Sequence, residues 1–455
     1  MDNEHRKADL RALVALIGGA VEDAIRAYDT QGRPVPSLDD VDDADSEKLG
    51  SLALDHAMRT SSGACAQLCA NARPARRAQC ASASPRILQT ARAAGDVVPA
   101  RGRGKGHGVH ISEISEKGGV EQGKLARVLR CLTMGHVFRE VAPDIFANNR
   151  TSYALRSASP LSSAVCLWSS DFTQFAHARL YDALEDPEYG LSYDVMHAPF
   201  AFGVKQAGLG GRINPFIWHE RHPEKVARFS EAMTSNFFGD VCDHYTMAIL
   251  PPGMTWCDVG AGLGSRARGT AVPTPPPDLA GSAERRRARH SGARSTDLYW
   301  KERCSAAVQR GQIAFVPIDF LKESPVPEQD IYYMRHIIHD WPDADCVKIL
   351  RNIHSVMHPD SRILIHEYIL PNPAQKGGVG ADAPAPLLPN YGAGAKRAYL
   401  QDINMLDLLN AKERTVGELA ALGEKAGLET AKVWEGVEHG IVEMRIANRV
   451  PHLES

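Results

Sequence analysis

The sequence predicts an α/β protein in which a mostly parallel sheet follows a helical N-terminal domain. Two short apolar runs, one at 331–338 and one that ends at Glu367, bracket a helical segment, as expected of a parallel strand–helix–strand unit. A third run at 255–259 leads into a glycine-rich turn. Residues 8–28, in contrast, carry apolar positions at helical spacing and predict an amphipathic helix.

Length and composition indicate a globular protein of more than one domain. The chain has 455 residues, of which 44% are hydrophobic and 24% charged, with a formal net charge of -3. We expect an N-terminal domain at 1–165 and a larger domain at 166–455. No apolar run reaches the roughly 18 residues of a membrane-spanning helix, and the charged start predicts an intracellular, cytoplasmic protein. The nine cysteines form no CxxC pair, which favours reduced structural thiols over a zinc site.

The N-terminal part predicts two long helices and then a helix-turn-helix unit with a wing. Residues 47–72 form the second long helix. Residues 110–139 hold two short helices around a GGVEQG turn, and strand-like pieces follow near 137 and at 152–155. Such a unit packs against a partner subunit or binds DNA through its second helix.

The DNA-binding alternative depends on a basic face formed by Lys124, Arg127 and Arg130, which are spaced by three. Three positive charges are a small electrostatic footprint for a nucleic-acid site, and three glutamates lie close to them in the sequence. The sequence therefore favours subunit packing.

The middle and the end of the chain complete the predicted elements. Helices are expected at 170–184 and 223–238, around an irregular stretch rich in aromatic residues. Residues 431–437 and 441–447 flank the segment EHG and predict an antiparallel hairpin, so the last strand runs against the others. Residues 371–396 are rich in proline, glycine and alanine and predict a long surface loop.

His339 is the first candidate for chemistry. It follows the run that starts at residue 331, with Asp340 interpreted as the N-cap of the next helix and Pro342 in its first turn. The carboxyl ends of parallel strands form the edge where ligands bind, so an imidazole there is suited to proton transfer near neutral pH. Taken alone, a histidine beside a tryptophan is more often a buried structural residue than a base.

The second candidate is the segment TWCDVGAGLGS, in which Gly260, Gly262 and Gly264 follow a strand. Glycines in such a turn let the backbone approach a ligand closely. The GxGxG spacing differs from the dinucleotide-binding GxGxxG and is a weak signal by itself. Combined with His339, it predicts one sheet with a cofactor on its first loop and chemistry on a later loop.

At these residues the chain resembles the S-adenosylmethionine-dependent small-molecule O-methyltransferases of the caffeic-acid type from plants and fungi. The resemblance depends on DVGAGLG, on IDF at 318–320, on HDWPDADCVKIL, on HEYILP and on KERTVGELAALGEKAGL at 412–428. It covers most of the chain, and fungal secondary-metabolite members are the most similar. It implies a Rossmann-like methyltransferase sheet with an antiparallel last strand, and a winged-helix-like N-terminal domain that forms a homodimer.

The resemblance also implies a reaction, in which a methyl group passes from S-adenosylmethionine to a hydroxyl of a phenolic small molecule. His339 takes the role of base, and Glu367 and Glu413 flank it. A phenol has a pKa near 10, so a base is useful at pH 7. Positioning supplies most of the remaining rate, and no metal is expected.

Binding residues carry over from the same motifs. Asp258 and the three glycines are expected to bind S-adenosylmethionine, with Asp319 and Phe320 on its adenine side. Arg335 stands where the family often has lysine, which has a different geometry. The acceptor-side candidates are Asp340 and Met405.

Two stretches, 72–107 and 266–295, depart from the family pattern. The second is rich in arginine and proline where the family has a strand that ends in a ribose-binding acid. Glu284 has the spacing of that acid but unusual surroundings. Two hypotheses account for these stretches. One is out-of-frame translation, and the other is a genuine basic insertion that binds RNA or an acidic partner. Either predicts a missing strand, an exposed sheet edge and impaired activity, so a catalytically inactive relative is the second functional hypothesis.

Overall fold

The computed structural model describes most of the chain, and the elements below lie within its described part. The described residues are 3–37, 51–72, 108–134, 136–153, 155–156, 175–210, 212–222, 225, 229, 245, 254–260, 281–285, 313–371, 383–436 and 439–447. The α-helices are α1 (Asn3–Thr30), α2 (Leu52–Ala72), α3 (Ile111–Gly118), α4 (Gln122–Thr133), α5 (Arg150–Tyr153), α6 (Leu180–Glu185), α7 (Pro199–Gln206), α8 (Pro215–Arg221), α9 (Asp343–His354), α10 (Lys396–Leu409) and α11 (Val416–Lys425). The strands are β1 (Val109–His110), β2 (Arg139–Ala142), β3 (Ile145–Ala147), β4 (Trp256–Val259), β5 (Gly281–Arg285), β6 (Ile313–Pro317), β7 (Ile331–Arg335), β8 (Arg362–Glu367), β9 (Leu428–Trp434) and β10 (Gly440–Ile446).

The long helices α1 and α2 pack against each other, which confirms the two predicted N-terminal helices. Leu13 of α1 and Ala64 of α2 are fully buried, and they share a core cluster with Leu387 and Tyr391. The helical pair is therefore attached to the segment that precedes α10. No helix in the described ranges is long and apolar enough to cross a membrane.

Helices α3 and α4 pack on a small antiparallel sheet with strand order β1-β3-β2. Glu121 caps α4, because its carboxylate accepts bonds from the backbone N–H groups of the first helical turn. The prediction of a strand at 152–155 is wrong, since α5 covers the first part of that segment. Asn149 and Ser152 exchange side-chain-to-backbone hydrogen bonds of 2.8 and 2.9 Å, which hold this turn in a helical conformation.

The larger sheet has seven strands in the order β6-β5-β4-β7-β8-β10-β9. Neighbouring strands from β6 to β8 are parallel, and β10 is antiparallel to both β8 and β9. The predicted hairpin and reversed last strand are therefore confirmed. All five residues of β7 are buried, which accounts for its continuous apolar sequence.

Two other expectations for this domain need correction or fall outside the described residues. The expectation that the second strand of the sheet is missing is wrong, because β5 pairs with both β4 and β6 and leaves no gap in the sheet. Of the helix expected at 170–184, the described part holds a 3-10 turn at His177–Arg179 and α6. The helix expected at 223–238 lies almost wholly outside the described residues.

The segment around His339 also differs from its prediction. Strand β7 ends at Arg335, and Ile338–Asp340 form a 3-10 turn. Asp340 is not the N-cap of α9, which begins at Asp343 with Pro342 as its cap. The carbonyl of Pro342 accepts the first two helical bonds, both 3.0 Å long, so the helix begins two residues later than expected. His339 consequently lies on a tight connection between β7 and α9.

Candidate active site

The connection that carries His339 is held from two sides. Glu367, at the end of β8, accepts hydrogen bonds from the backbone N–H groups of Ile337 and Ile338, at 2.9 and 3.0 Å. On the other side, the guanidinium of Arg414 donates to the carbonyls of Ile338 and Trp341, at 3.0 and 2.8 Å. All these groups are buried, so the backbone on both sides of His339 has a fixed conformation.

The imidazole of His339 lies among three carboxyl groups. Its Nδ1 is 2.7 Å from Oε1 of Glu413 and 3.5 Å from Oε2 of Glu367. Its Nε2 is 3.4 Å from Oδ1 of Asp340. The side chains of His339, Glu367 and Glu413 are 7%, 3% and 0% exposed. The structure thus brings together the three residues that the sequence assigns to catalysis, although they come from three separate segments.

Burial and charge act in opposite directions on the pKa of His339. Burial alone lowers it, but Glu413, Glu367 and Asp340 outweigh that effect and raise the pKa to about 10. Burial raises the pKa of both Glu367 and Glu413, and the adjacent imidazole opposes that rise. The imidazolium form of His339 is therefore strongly stabilised by its neighbours.

The expected cofactor residues lie at the carboxyl edge of β4, β6 and β7. Asp258 is buried near the end of β4, and Arg335 is buried as the last residue of β7. Asp319 and Phe320 follow β6; Phe320 is buried, and Asp319 lies 3.1 Å from the ammonium group of Lys322. These residues therefore share one edge of the sheet with the connection that carries His339.

Gly260 lies in the turn after β4, beside the connection that carries His339. Its φ is +86°, and a Cβ there would lie 2.3 Å from Cδ1 of Ile337, so the turn after β4 has no room for a side chain. The atoms in the way belong to Ile337, so packing of the turn against the His339 connection requires glycine at this position. The buried carboxylate of Asp258, two residues earlier, is a polar group that suits the polar groups of S-adenosylmethionine. Gly262 and Gly264 lie outside the described residues.

The acceptor-side candidates lie on different sides of the same region. Asp340 is partly exposed beside His339. Met405 is buried on α10, in a cluster with Phe200 and Trp218 from the aromatic stretch. Phe216 of that stretch stacks on Trp341, with ring planes 8° apart. Aromatic side chains thus extend from α8 to the turn that carries His339.

Two residues with clear structural roles were missed by the sequence reasoning. Arg414 follows Glu413 in the motif KERT, and its neighbours in sequence gave no sign that it holds the His339 connection. His336 forms the pattern HIIH with His339, and that spacing was a usable signal for paired ligands. His336, His339 and Glu367 each have a possible ligand atom within 4.8 Å of the others.

The chain is similar to known O-methyltransferases in sequence and in fold. Residues 300–379 match the family described as O-methyltransferase domain. The chain is 38% identical over 455 residues, 96% of its length and 97% of the relative's, to "3-O-methyltransferase 2" of the fungus Phanerochaete chrysosporium. The structure of OxaC in complex with S-adenosylhomocysteine and oxaline is 21% identical, with a TM-score of 0.64, over 96% of this chain and 100% of that one.

A further solved structure has the same fold at lower identity. It is the O-methyltransferase NcsB1 from neocarzinostatin biosynthesis, in complex with S-adenosylmethionine and 2-hydroxy-5-methyl naphthoic acid. It is 19% identical to this chain, with a TM-score of 0.59, over 83% of this chain and 100% of that one.

Proposed function

The chain belongs to the S-adenosylmethionine-dependent O-methyltransferases, and from that premise we propose that it methylates a phenolic hydroxyl of a small molecule with His339 as general base. The observation that carries the proposal is the 2.7 Å contact between Nδ1 of His339 and Glu413, on a buried connection at the ligand-binding edge of the sheet. Aromatic side chains near Trp341 suit an aromatic acceptor. The aromatic hydroxy acid bound to NcsB1 is consistent with that acceptor class.

The contacts of the two ring nitrogens of His339 determine which nitrogen accepts the proton of the substrate. The Nδ1–H group of His339 donates a hydrogen bond to Oε1 of Glu413, which fixes the tautomer and leaves Nε2 to take the proton of the acceptor hydroxyl. Glu413 and Glu367 then stabilise the imidazolium, as their effect on the pKa of His339 indicates. S-adenosylmethionine, when bound, supplies an electrophilic methyl group on a sulfonium.

The raised pKa of His339 suits a phenolic acceptor. An ordinary histidine, with a pKa of roughly 6.5, would take a proton from a phenol of pKa near 10 at a cost of about 5 kcal/mol. Because the pKa of His339 is about 10, the same transfer in this site is close to balanced. The free energy that favours the transfer is the attraction between the imidazolium and its carboxylates.

For the cofactor side, we propose that Asp258, Gly260, Gly262 and Gly264 hold S-adenosylmethionine, with Asp319 and Phe320 near the adenine end. Arg335 is proposed as a further cofactor contact. Glu284 is the proposed ribose-binding acid, since its backbone pairs with Val259 next to the glycine turn. The test is Glu284→Gln, which should weaken S-adenosylhomocysteine binding by more than tenfold. Binding at full strength would remove Glu284 from the site.

The N-terminal domain, 1–165, is proposed to form a winged-helix-like homodimerisation unit, with the catalytic domain at 166–455. The exposed apolar residues Val14, Val21 and Met58 on α1 and α2 support a protein contact. A DNA-binding role is not favoured, because Arg130 is paired with Glu140 and Asp144 at 2.6 and 2.8 Å. The molar mass in solution, measured by light scattering, would distinguish a dimer from a monomer.

The decisive experiment for the catalytic proposal replaces His339 by Gln. With hydroxynaphthoates and simple phenols as probes, we expect kcat to fall about 10²- to 10⁴-fold, while S-adenosylhomocysteine binding changes only a few-fold. His358→Gln is the matched control, because His358 is a partly exposed histidine paired with Asp330, outside this site. Turnover of the His339 variant at the parent rate would refute the assignment.

A further inference from the structure

We propose that His336, His339 and Glu367 form a binding site for a divalent transition-metal ion such as Zn²⁺, and that the bound ion blocks the active site. The metal site goes beyond the methyl-transfer function, because it uses His336, which has no part in the proposed reaction. The connection after β7 would then bind a metal ion as well as the methyl acceptor.

The distances between the possible ligand atoms fit a small ion. Oε2 of Glu367 lies 3.5 Å from Nδ1 of His339 and 3.7 Å from Nδ1 of His336. Ligands bound at about 2.0–2.2 Å in a tetrahedral zinc site lie about 3.4 Å apart. The two imidazole ligand atoms lie within 4.8 Å of each other, so the histidine rings have to approach by at most about 1.4 Å to reach the tetrahedral spacing.

The donor set and its surroundings also suit such an ion. Two imidazoles and one carboxylate, with further positions open, are a ligand combination that transition metals commonly use in proteins. Oε2 of Glu367 is buried and has no hydrogen-bond partner among the described residues. An ion placed there would supply the partner that this oxygen lacks, and would offset the negative charge of the adjacent carboxylates.

Metal binding and proton acceptance exclude each other at His339. A metal ion binds the lone pair of Nδ1, so the proton that the imidazolium holds there passes to Glu413 or to solvent. The ring then keeps its one remaining proton on Nε2, the atom that would otherwise accept the proton of the acceptor hydroxyl. The ring is then held by the ion in an orientation that no longer depends on Glu413. We therefore expect Zn²⁺ to inhibit turnover and a chelator to restore it.

The matched variant is His336→Asn. Residue 336 has a φ of +51°, a conformation that asparagine tolerates well, so the backbone of the connection is retained. The shorter amide cannot replace the imidazole as a ligand at the same distance. His366→Asn is the control, because His366 is a buried histidine of the same region whose Nδ1 is paired with the hydroxyl of Tyr333.

The experiment measures Zn²⁺ affinity by competition with a chromophoric chelator, and Co²⁺ binding by visible absorption, on the full-length chain. We expect one saturable site per chain that His336→Asn weakens at least about 100-fold, since loss of a supporting residue alone costs 10- to 100-fold. The control variant should keep the site. Absence of a saturable site, or equal affinity in His336→Asn, would overturn the proposal.

Inhibition provides the second measurement, and it separates this proposal from the catalytic one. His336→Asn should retain turnover and lose sensitivity to Zn²⁺. If His339 is not the base, the chelator competition still reports the site, because that readout needs no activity. Should His336→Asn unfold, as judged by circular dichroism, His336→Gln takes its place under the same criteria.

Discussion

Replacement of Glu413 by glutamine tests the electrostatic reasoning most directly. Glu413 is the carboxylate with the largest effect on His339, whose pKa is about 10 against an ordinary value of 6.5. That difference corresponds to about 5 kcal/mol of preferential interaction with the imidazolium. Glutamine keeps the hydrogen-bond acceptor at 2.7 Å but removes the charge. The pKa of His339 should therefore fall by at least about one pH unit.

The assay is the pH dependence of kcat/KM with an acceptor whose hydroxyl has a pKa well above about 10, so that the acceptor keeps its proton throughout and the observed limb reports His339. The parent enzyme should gain activity as pH rises toward 10, because His339 must lose its proton before it can accept another. In Glu413→Gln this limb should move to lower pH, and its plateau should fall about 10- to 100-fold, since the imidazolium is less stabilised. A limb that stays in place would refute the reasoning.

A stability measurement checks the same pKa without a substrate. A histidine whose pKa is raised on folding contributes stability that is complete below pH 6.5 and is lost as pH rises through about 10. Between these values, urea unfolding of the parent chain should lose more free energy with rising pH than that of Glu413→Gln. Glu443→Gln is the control, because Glu443 is a buried carboxylate paired with Arg445 on the same strand, outside the cluster.

Three further predictions concern residues around the site. Arg414→Lys keeps the charge but loses the forked donation to two backbone carbonyls, so kcat should fall at least tenfold with S-adenosylhomocysteine affinity nearly unchanged. Burial raises the pKa of Asp407 from 3.8 to about 7, so ionisation of this carboxyl lowers the free energy of unfolding progressively above pH 4 and by its full amount above pH 7. In urea unfolding, Asp407→Asn should therefore be more stable than the parent chain by up to about 4 kcal/mol at pH 8, and by less at pH 5. Gly260→Ala should weaken S-adenosylhomocysteine binding in calorimetry, because its Cβ would contact Ile337 at 2.3 Å, whereas Gly417→Ala, with only one atom at 4.0 Å, should bind normally.

The parts of the fold that could be predicted are those in which a local pattern determines the structure. Strand β7 is buried throughout, so its short apolar run was sufficient to identify it. The position of Asp340 could not be predicted in this way, because the tight turn there depends on bonds from Glu367 and Arg414, which lie far away in the sequence. A helix-start pattern alone cannot report such distant partners.

Strand β5 and Glu413 are two further features that a local sequence pattern does not predict. The sequence of β5, GSAER, has low strand propensity, yet the strand forms between two parallel neighbours that satisfy its backbone groups. Glu413 lies 74 residues from the histidine it contacts, and only the resemblance to a family identified it. Both cases depend on long-range contacts, which neither propensity nor spacing encodes.

The excess of carboxyl groups over imidazoles leads to a final prediction. His339 has three carboxyl neighbours, so the cluster retains negative charge even with the ring protonated and one glutamate neutral. A Cβ on Gly260 would lie 2.3 Å from Ile337, which belongs to the connection that carries His339, so a cation bound at the Gly260 turn would lie near the cluster. A charge pair about 8 Å apart, at an effective dielectric constant of about 20, is worth about 2 kcal/mol.

The chain should therefore prefer the positively charged sulfonium of S-adenosylmethionine to the neutral thioether of S-adenosylhomocysteine. The physical reason is the attraction of the sulfonium to the carboxylates, which also makes neutral His339 more accessible by lowering its pKa. Calorimetry on the parent chain and on Glu413→Gln should show that the preference shrinks in the variant, by at most about 30-fold. Equal preference in both proteins would mean that the cluster charge does not reach the cofactor turn, and the base would then have to lose its proton without that assistance.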